Sequence, residues 1–163
     1  MKLAAILTLL VVAPALALAG YKPGPGWPEV VTPFFHAATQ LEGDARIRLW
    51  RQTPGFGVQG YRDSGSMHPV LQGGREKLAL ERYRPLMPLT VGQIVLYDRG
   101  DVPAVVHYIA AISADGTQVY LSGINCKNSD GWFSRKKIAW LVREIITLPE
   151  PGAIPAPIVA QSR

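Results

Sequence analysis

The 163-residue chain holds a single cysteine, Cys126, so no disulfide can form within it. Its three histidines, His36, His68 and His107, show no paired ligand spacing, and nothing else in the chain suggests a metal constellation; neither a metal nor a cofactor is expected. Internal repeats are absent. Basic residues are scattered except for Arg135-Lys136-Lys137 and are not interleaved with aromatics, which argues against a nucleic-acid partner. The excess of 17 Lys and Arg over 12 Asp and Glu, a net charge of +5, fits mild attraction to anionic lipid head groups better.

One long apolar run is present, at the N-terminus. Lys2 precedes Leu3 to Leu18, apolar except for Thr8, and Ala17-Leu18-Ala19 before Gly20 has the form of a cleavage site. The run is short for a spanning helix, which needs about 20 residues. Residues 1–19 are therefore expected to be a cleaved signal peptide or a retained anchor, and either places the remainder outside the cytoplasm. Residues 20–46, with Pro23, Gly24, Pro25, Gly26, Pro28 and Pro33, read as an extended linker. A short helix is expected over Phe34 to Leu41.

From Ile47 the texture turns to short β segments divided by Gly, Pro and Asp. Strands are expected at Ile47–Trp50, Phe56–Tyr61, Leu78–Glu81, Gln93–Tyr97, Ala104–Ile112, Gln118–Leu121 and Ala139–Ile146. Ala114-Asp115-Gly116 marks a hairpin. This predicts one mostly β domain over residues 47–148, an antiparallel barrel or set of coiled sheets with few short helices. Residues 149–163, rich in proline, read as a disordered tail.

Three segments carry candidate chemistry. Ser64-Gly65-Ser66-Met67-His68-Pro69-Val70-Leu71 puts Ser66 on a short turn. A serine hydroxyl needs a base and an oxyanion site before it is a useful nucleophile. His107, inside the apolar strand Val105-Val106-His107-Tyr108-Ile109, is a candidate base, although a lone histidine in such a strand is more often structural. Gly123 to Asp130 forms a polar loop in which Asp130 is a candidate to orient the imidazole, with Ser122 and Asn125 as supporting hydrogen-bonding groups. Three other residues are read as peripheral. His68 sits too close to the nucleophile turn to point back at it, His36 falls in the linker, and Cys126 is expected to be a small buried thiol.

The same segments, in order, resemble type I signal peptidases. Ser64 to Leu71 looks like the nucleophile box S-x-S-M-x-P-T-L. Val91 to Tyr97 resembles the strand vGDiVvy. Val105 to Ile109 is similar to VVHRi of the branch that uses histidine as base, and Gly123 to Asp130 resembles that branch's G-D-N-N-x-x-x-D box. Ile138 to Ile145 looks like the closing strand. The likeness covers Phe56 to Ile146. It implies a mostly β serine endopeptidase facing the membrane surface, acting on a precursor polypeptide. Ser66 would be nucleophile, His107 base and Asp130 its orienting acid. The Ser66 N–H and the Ser64 hydroxyl would form the oxyanion site, apolar side chains near Met67 would line a pocket for small residues, and Ser122 is counted with Ser64 and Met67 among the oxyanion and substrate-binding residues.

The chain departs from that pattern at Val70, Gln93, Tyr108 and Ile124, where the family carries Thr, Asp, Arg and Asp. The bacterial lysine base has no counterpart, since Lys77 falls in an inserted segment. Two alternatives follow from these departures: a maturation protease with one dedicated substrate, or an inactive module that keeps the fold for binding or structure.

Overall fold

The computed structural model describes residues 26–101 and 104–150. The N-terminal apolar run and the tail beyond Glu150 lie outside the described residues. The elements in chain order are β1 (Phe34–His36), α1 (Gln40–Gln52), β2 (Phe56–Gln59), β3 (Glu76–Arg82), β4 (Ile94–Tyr97), β5 (Val105–Ile112), β6 (Gln118–Ser122), β7 (Gly131–Ser134), a 3-10 turn at Arg135–Lys137, and β8 (Ile138–Thr147).

All eight strands belong to one sheet, ordered β2-β3-β8-β4-β5-β6-β7, with β1 parallel to β8 and every other pairing antiparallel. The mostly β, antiparallel expectation holds, but the sheet is open and does not close into a barrel. Register shifts at Ala79/Leu80, Leu96/Tyr97 and Ile109/Ala111 each insert extra backbone, which bends and coils a sheet.

Coiling lets one sheet bury both faces. Period-two alternation sends Ile94, Leu96 and Tyr108 to one core with Leu71, Leu78 and Ile145. Val95, Tyr97 and Ile109 go to a second core with Val119, Leu121 and Leu141. Full burial of each such Leu or Ile contributes about 1.5–3 kcal/mol. β4, buried at every position, runs through the middle and serves both cores.

Three expectations change. Ile47–Trp50, read as a strand, lies inside α1. The helix starts at Thr39, whose side chain accepts from Glu42 N–H while the Glu42 carboxylate accepts from Ala38 N–H. It is tied down by Glu144 of β8, whose carboxylate takes two bonds from the Arg46 guanidinium (2.8 and 2.6 Å) and one from Trp50 Nε1 (2.6 Å). The expected helix over Phe34–Leu41 is instead β1 followed by the helix start. Finally, the linker reading fails over residues 27–36. Val30 and Thr32 are buried, Ile94 N–H donates to Thr32 Oγ1, and Ile145 N–H donates to Pro33 O. A proline-rich segment can be ordered when its carbonyls find donors on a sheet edge.

The Ala114-Asp115-Gly116 hairpin forms as expected. Asp115 accepts from Ser113, Thr117 and the Thr117 backbone, and Gly116 turns the chain at φ +69°.

Candidate active site

After β2 the chain runs along one end of the sheet and turns at Ser64-Gly65-Ser66. Gly65 sits at φ +75°, a conformation open to glycine and costly for other residues. Its N–H donates to Asp63 Oδ1 (2.8 Å), which fixes the turn. Asp63 is also paired with His68 Nε2 at 2.9 Å, and these two contacts hold its carboxyl below the usual carboxylate range, the Gly65 N–H foremost. Downstream of the turn, Met67, Val70 and Leu71 enter the first core and anchor it.

His107 arrives from the sheet. Its cross-strand partner is Val95, so its side chain shares the face of Val95 and Tyr97, and it lies near the start of β5, where the sheet ends. The residue is 5% exposed, yet its Nε2 lies 3.1 Å from Ser66 Oγ. Its Nδ1 is hydrogen-bonded to Asp130 Oδ2. Asp130 stands just before β7 and is placed by its own N–H, which donates to Leu121 O. Serine, imidazole and carboxylate therefore form one continuous relay from three parts of the chain that lie far apart in sequence.

The β6–β7 loop does more than deliver Asp130. Asn125 N–H donates to Ser66 O (2.8 Å), and Asn125 Nδ2 donates to Gly65 O (3.3 Å). The Ser64-Gly65-Ser66 turn is thus clamped by the loop that carries Asp130. Gly123 permits this approach, since a Cβ there would stand 2.8 Å from Ser66 O and 3.0 Å from His107 Nε2.

The relay opens onto a cleft of about 900 Å³. Its apolar depth includes Met67, Leu71, Leu78, Leu96 and Val106, and its mouth carries Arg62, Asp63 and Arg99. Ser64 lines it too, with its hydroxyl donating to Ser66 Oγ at 3.0 Å. A buried imidazole, a serine hydroxyl within hydrogen-bond reach of it and an adjoining concave surface have the geometry that acyl transfer requires.

Of the residues singled out from sequence, Ser64, Ser66, Met67, His107 and Asp130 come together here. Ser122 does not reach the cleft. It is 1% exposed and its hydroxyl donates to Gly123 O, so it supports the loop and is not positioned to touch a ligand. His68 is turned onto Asp63, His36 stacks on Phe34, and Lys77 donates to Gly74 O. Cys126 lines the cleft, and burial, with the charge of Asp130 adding to it, pushes its thiol pKa up, so it is a poor thiolate source at neutral pH.

Two residues near the carboxylate were not foreseen. Tyr97 OH donates to Asp130 Oδ2 at 2.6 Å, and Arg99 Nη1 stands 3.6 Å from Asp130 Oδ1. The available signal for Tyr97 was its place at the end of a buried strand with a polar tip to satisfy. Among the described residues no group of three or more His, Cys, Asp or Glu is arranged to hold a metal ion. Comparison with protein-family models, curated proteins and solved structures finds no match.

Proposed function

We propose that the chain is a serine endopeptidase of the signal-peptidase type, cleaving exported or membrane-associated precursor polypeptides after small residues. The observation that carries this reading is the Ser66–His107–Asp130 relay opening onto the cleft. Ser66 Oγ attacks the scissile carbonyl while His107 Nε2 accepts its proton. The oxygen that becomes negative is stabilised by the Ser66 N–H and the Ser64 hydroxyl. His107 then passes the proton to the leaving amine, the C–N bond breaks, and an ester remains on Ser66. Water, giving a proton to His107, attacks the ester and frees the new carboxyl terminus, and that proton returns to Ser66 Oγ. Asp130 keeps the imidazole Nδ1–H directed inward throughout, so that Nε2 faces the serine.

The residues that depart from the family pattern leave the relay intact. Ile124 packs against the first core, and Gln93 is buried at the foot of β4. Neither substitution removes a member of the hydrogen-bonded chain, which favours an enzyme over an inactive module. The apolar depth of the cleft suits small uncharged side chains. The apolar N-terminal run and the net charge of +5 support an exported protein working near an anionic membrane surface. No helix among the described residues is long and apolar enough to cross a membrane.

Cleavage of a precursor containing Ala-x-Ala, by wild type, Ser66→Ala and His107→Ala, tests the reading. Each substitution is expected to lower kcat by at least about 10³-fold with the fold retained. Cleavage by Ser66→Ala at the wild-type rate overturns it.

A further inference from the structure

We propose that Tyr97 is a positioning residue of this site, holding the Asp130 carboxylate in the orientation that His107 requires. The inference rests on the serine endopeptidase reading above. Asp130 Oδ2 accepts two hydrogen bonds at once, from His107 Nδ1 and from the Tyr97 phenol. Fixing one carboxylate oxygen from two directions removes the rotation about the Cβ–Cγ bond that a carboxylate tethered by imidazole alone retains. Among the described residues the other oxygen, Oδ1, meets the more distant Arg99, whose side chain is 36% exposed and already engaged by both oxygens of Asp101. The short, water-shielded contact belongs to Tyr97.

Tyr97 is suited to the task by its own placement. It is fully buried, paired with Val105 of β5 and Ile138 of β8. The Phe133 ring packs against it in a T-shaped arrangement at a centroid distance of 5.1 Å, and the His107 ring lies 6.3 Å away on the same face of the sheet. The ring therefore cannot swing, and its hydroxyl is a fixed donor. Burial and the bond to Asp130 push the phenol pKa up, so the proton that makes the bond stays in place throughout the neutral range. A strand of the sheet is thus extended by one polar atom into the relay, in the way that partners of catalytic imidazoles are themselves oriented by a further group.

The test is the rate at which a serine-directed phosphonate labels Ser66, together with kcat and KM for the precursor. Tyr97→Phe is expected to slow labelling and kcat by about 10-fold, the scale of one hydrogen bond to a charged group, with KM unchanged. In an Asp130→Asn background the same substitution is expected to cost nothing further, because Tyr97 acts only through that carboxylate. A merely structural role would give the same loss in both backgrounds, and that result overturns the proposal, as does wild-type labelling by Tyr97→Phe. If Tyr97→Phe does not fold, 4-fluorophenylalanine at position 97 keeps the volume, lacks the donor, and is expected to show the same 10-fold loss. Wild type that is not labelled at Ser66 overturns the endopeptidase reading and this inference with it. Labelled wild type with an unaffected Tyr97 variant overturns the role of Tyr97 alone.

Discussion

Gly123→Ala tests the clamp between the β6–β7 loop and the nucleophile turn. The glycine lies outside the left-handed region, so the issue is space and not backbone strain. The added methyl would meet Cys126 Sγ at 2.5 Å, Ser66 O at 2.8 Å and His107 Nε2 at 3.0 Å. The sulfur sits on a side chain and can rotate away. The Ser66 carbonyl cannot, because Asn125 N–H holds it at 2.8 Å and the adjacent Gly65 carbonyl is held by Asn125 Nδ2. Relief must come from the turn itself, which separates Ser66 Oγ from His107 Nε2, now 3.1 Å apart. Overpacking of this kind costs about 1–3 kcal/mol of stability. A displacement of the reacting atoms by about 1 Å costs about 10²-fold in rate. The expected outcome is therefore a folded protein, with a modestly lower urea midpoint and kcat/KM down by about 10²-fold. Adding Cys126→Ala should recover little, since it clears only the sulfur. Gly123→Ala with kcat/KM close to wild type would refute the close packing on which this reasoning depends, and full rescue by Cys126→Ala would refute the role given to the Ser66 carbonyl.

The remaining predictions concern the scaffold. Arg46→Ala leaves the buried Glu144 carboxylate without its two guanidinium bonds. The loss is expected to be about 2–3 kcal/mol in urea unfolding, below the ~3–5 kcal/mol of a fully buried pair because the Arg46 side chain is 31% exposed. A loss under about 0.5 kcal/mol, the scale of an ordinary surface pair, would contradict it. Asp115, whose carboxyl is lowered to about 2 by the Ser113 hydroxyl first and then by Thr117, should stabilise the hairpin fully above its unfolded pKa of about 3.9. That contribution is lost as the pH falls through the folded value. The stability difference between wild type and Asp115→Asn should accordingly be flat at neutral pH and shrink on acidification below about 4. A difference that grows in acid would be inconsistent with the assigned bonds.

What the sequence could and could not disclose follows from the range of each interaction. Alternation along β4 and β5 is local, so Gln93–Tyr97 and Ala104–Ile112 were readable within a residue or two of the strands that form. Asp115 and Gly116 carry their turn chemistry within themselves. The stretch Ile47-Arg48-Leu49-Trp50 alternates like a strand, yet it is helical because Thr39 caps it and Glu144, 98 residues beyond Arg46, holds it down. That partner is invisible to any local window. β7 escaped notice for a related reason. Its four residues become a strand only through β6, with Phe133 packing on the second core and Trp132 against Tyr120.

The site divides in the same way. Ser66, His107 and Asp130 were named from residue type and ordered motifs, while their contact depends on a sheet coiled enough to bring a post-β2 turn, a β5 side chain and the β6–β7 loop to one end. Asn125 was recognised as a hydrogen-bonding group, though not that its partners are the carbonyls of Gly65 and Ser66. Ser122 was grouped with the oxyanion and substrate-binding residues by its place beside the Gly123–Asp130 loop, whereas its hydroxyl is taken up locally by Gly123 O in a buried position. Trp27 to Pro33 was read by composition as a linker, and the donors that order it, the N–H groups of Ile94 and Ile145, come from distant strands.

The central claim is that Ser66 forms an ester with the substrate under the control of His107. Its most direct test is an acid quench of wild type turning over an Ala-x-Ala precursor, followed by mass spectrometry of the intact protein and its peptides. The account predicts an adduct equal in mass to the amino-terminal cleavage fragment less water, located on Ser66 and absent from Ser66→Ala and His107→Ala. Product formation with no adduct on Ser66, or the same adduct in Ser66→Ala, would contradict it.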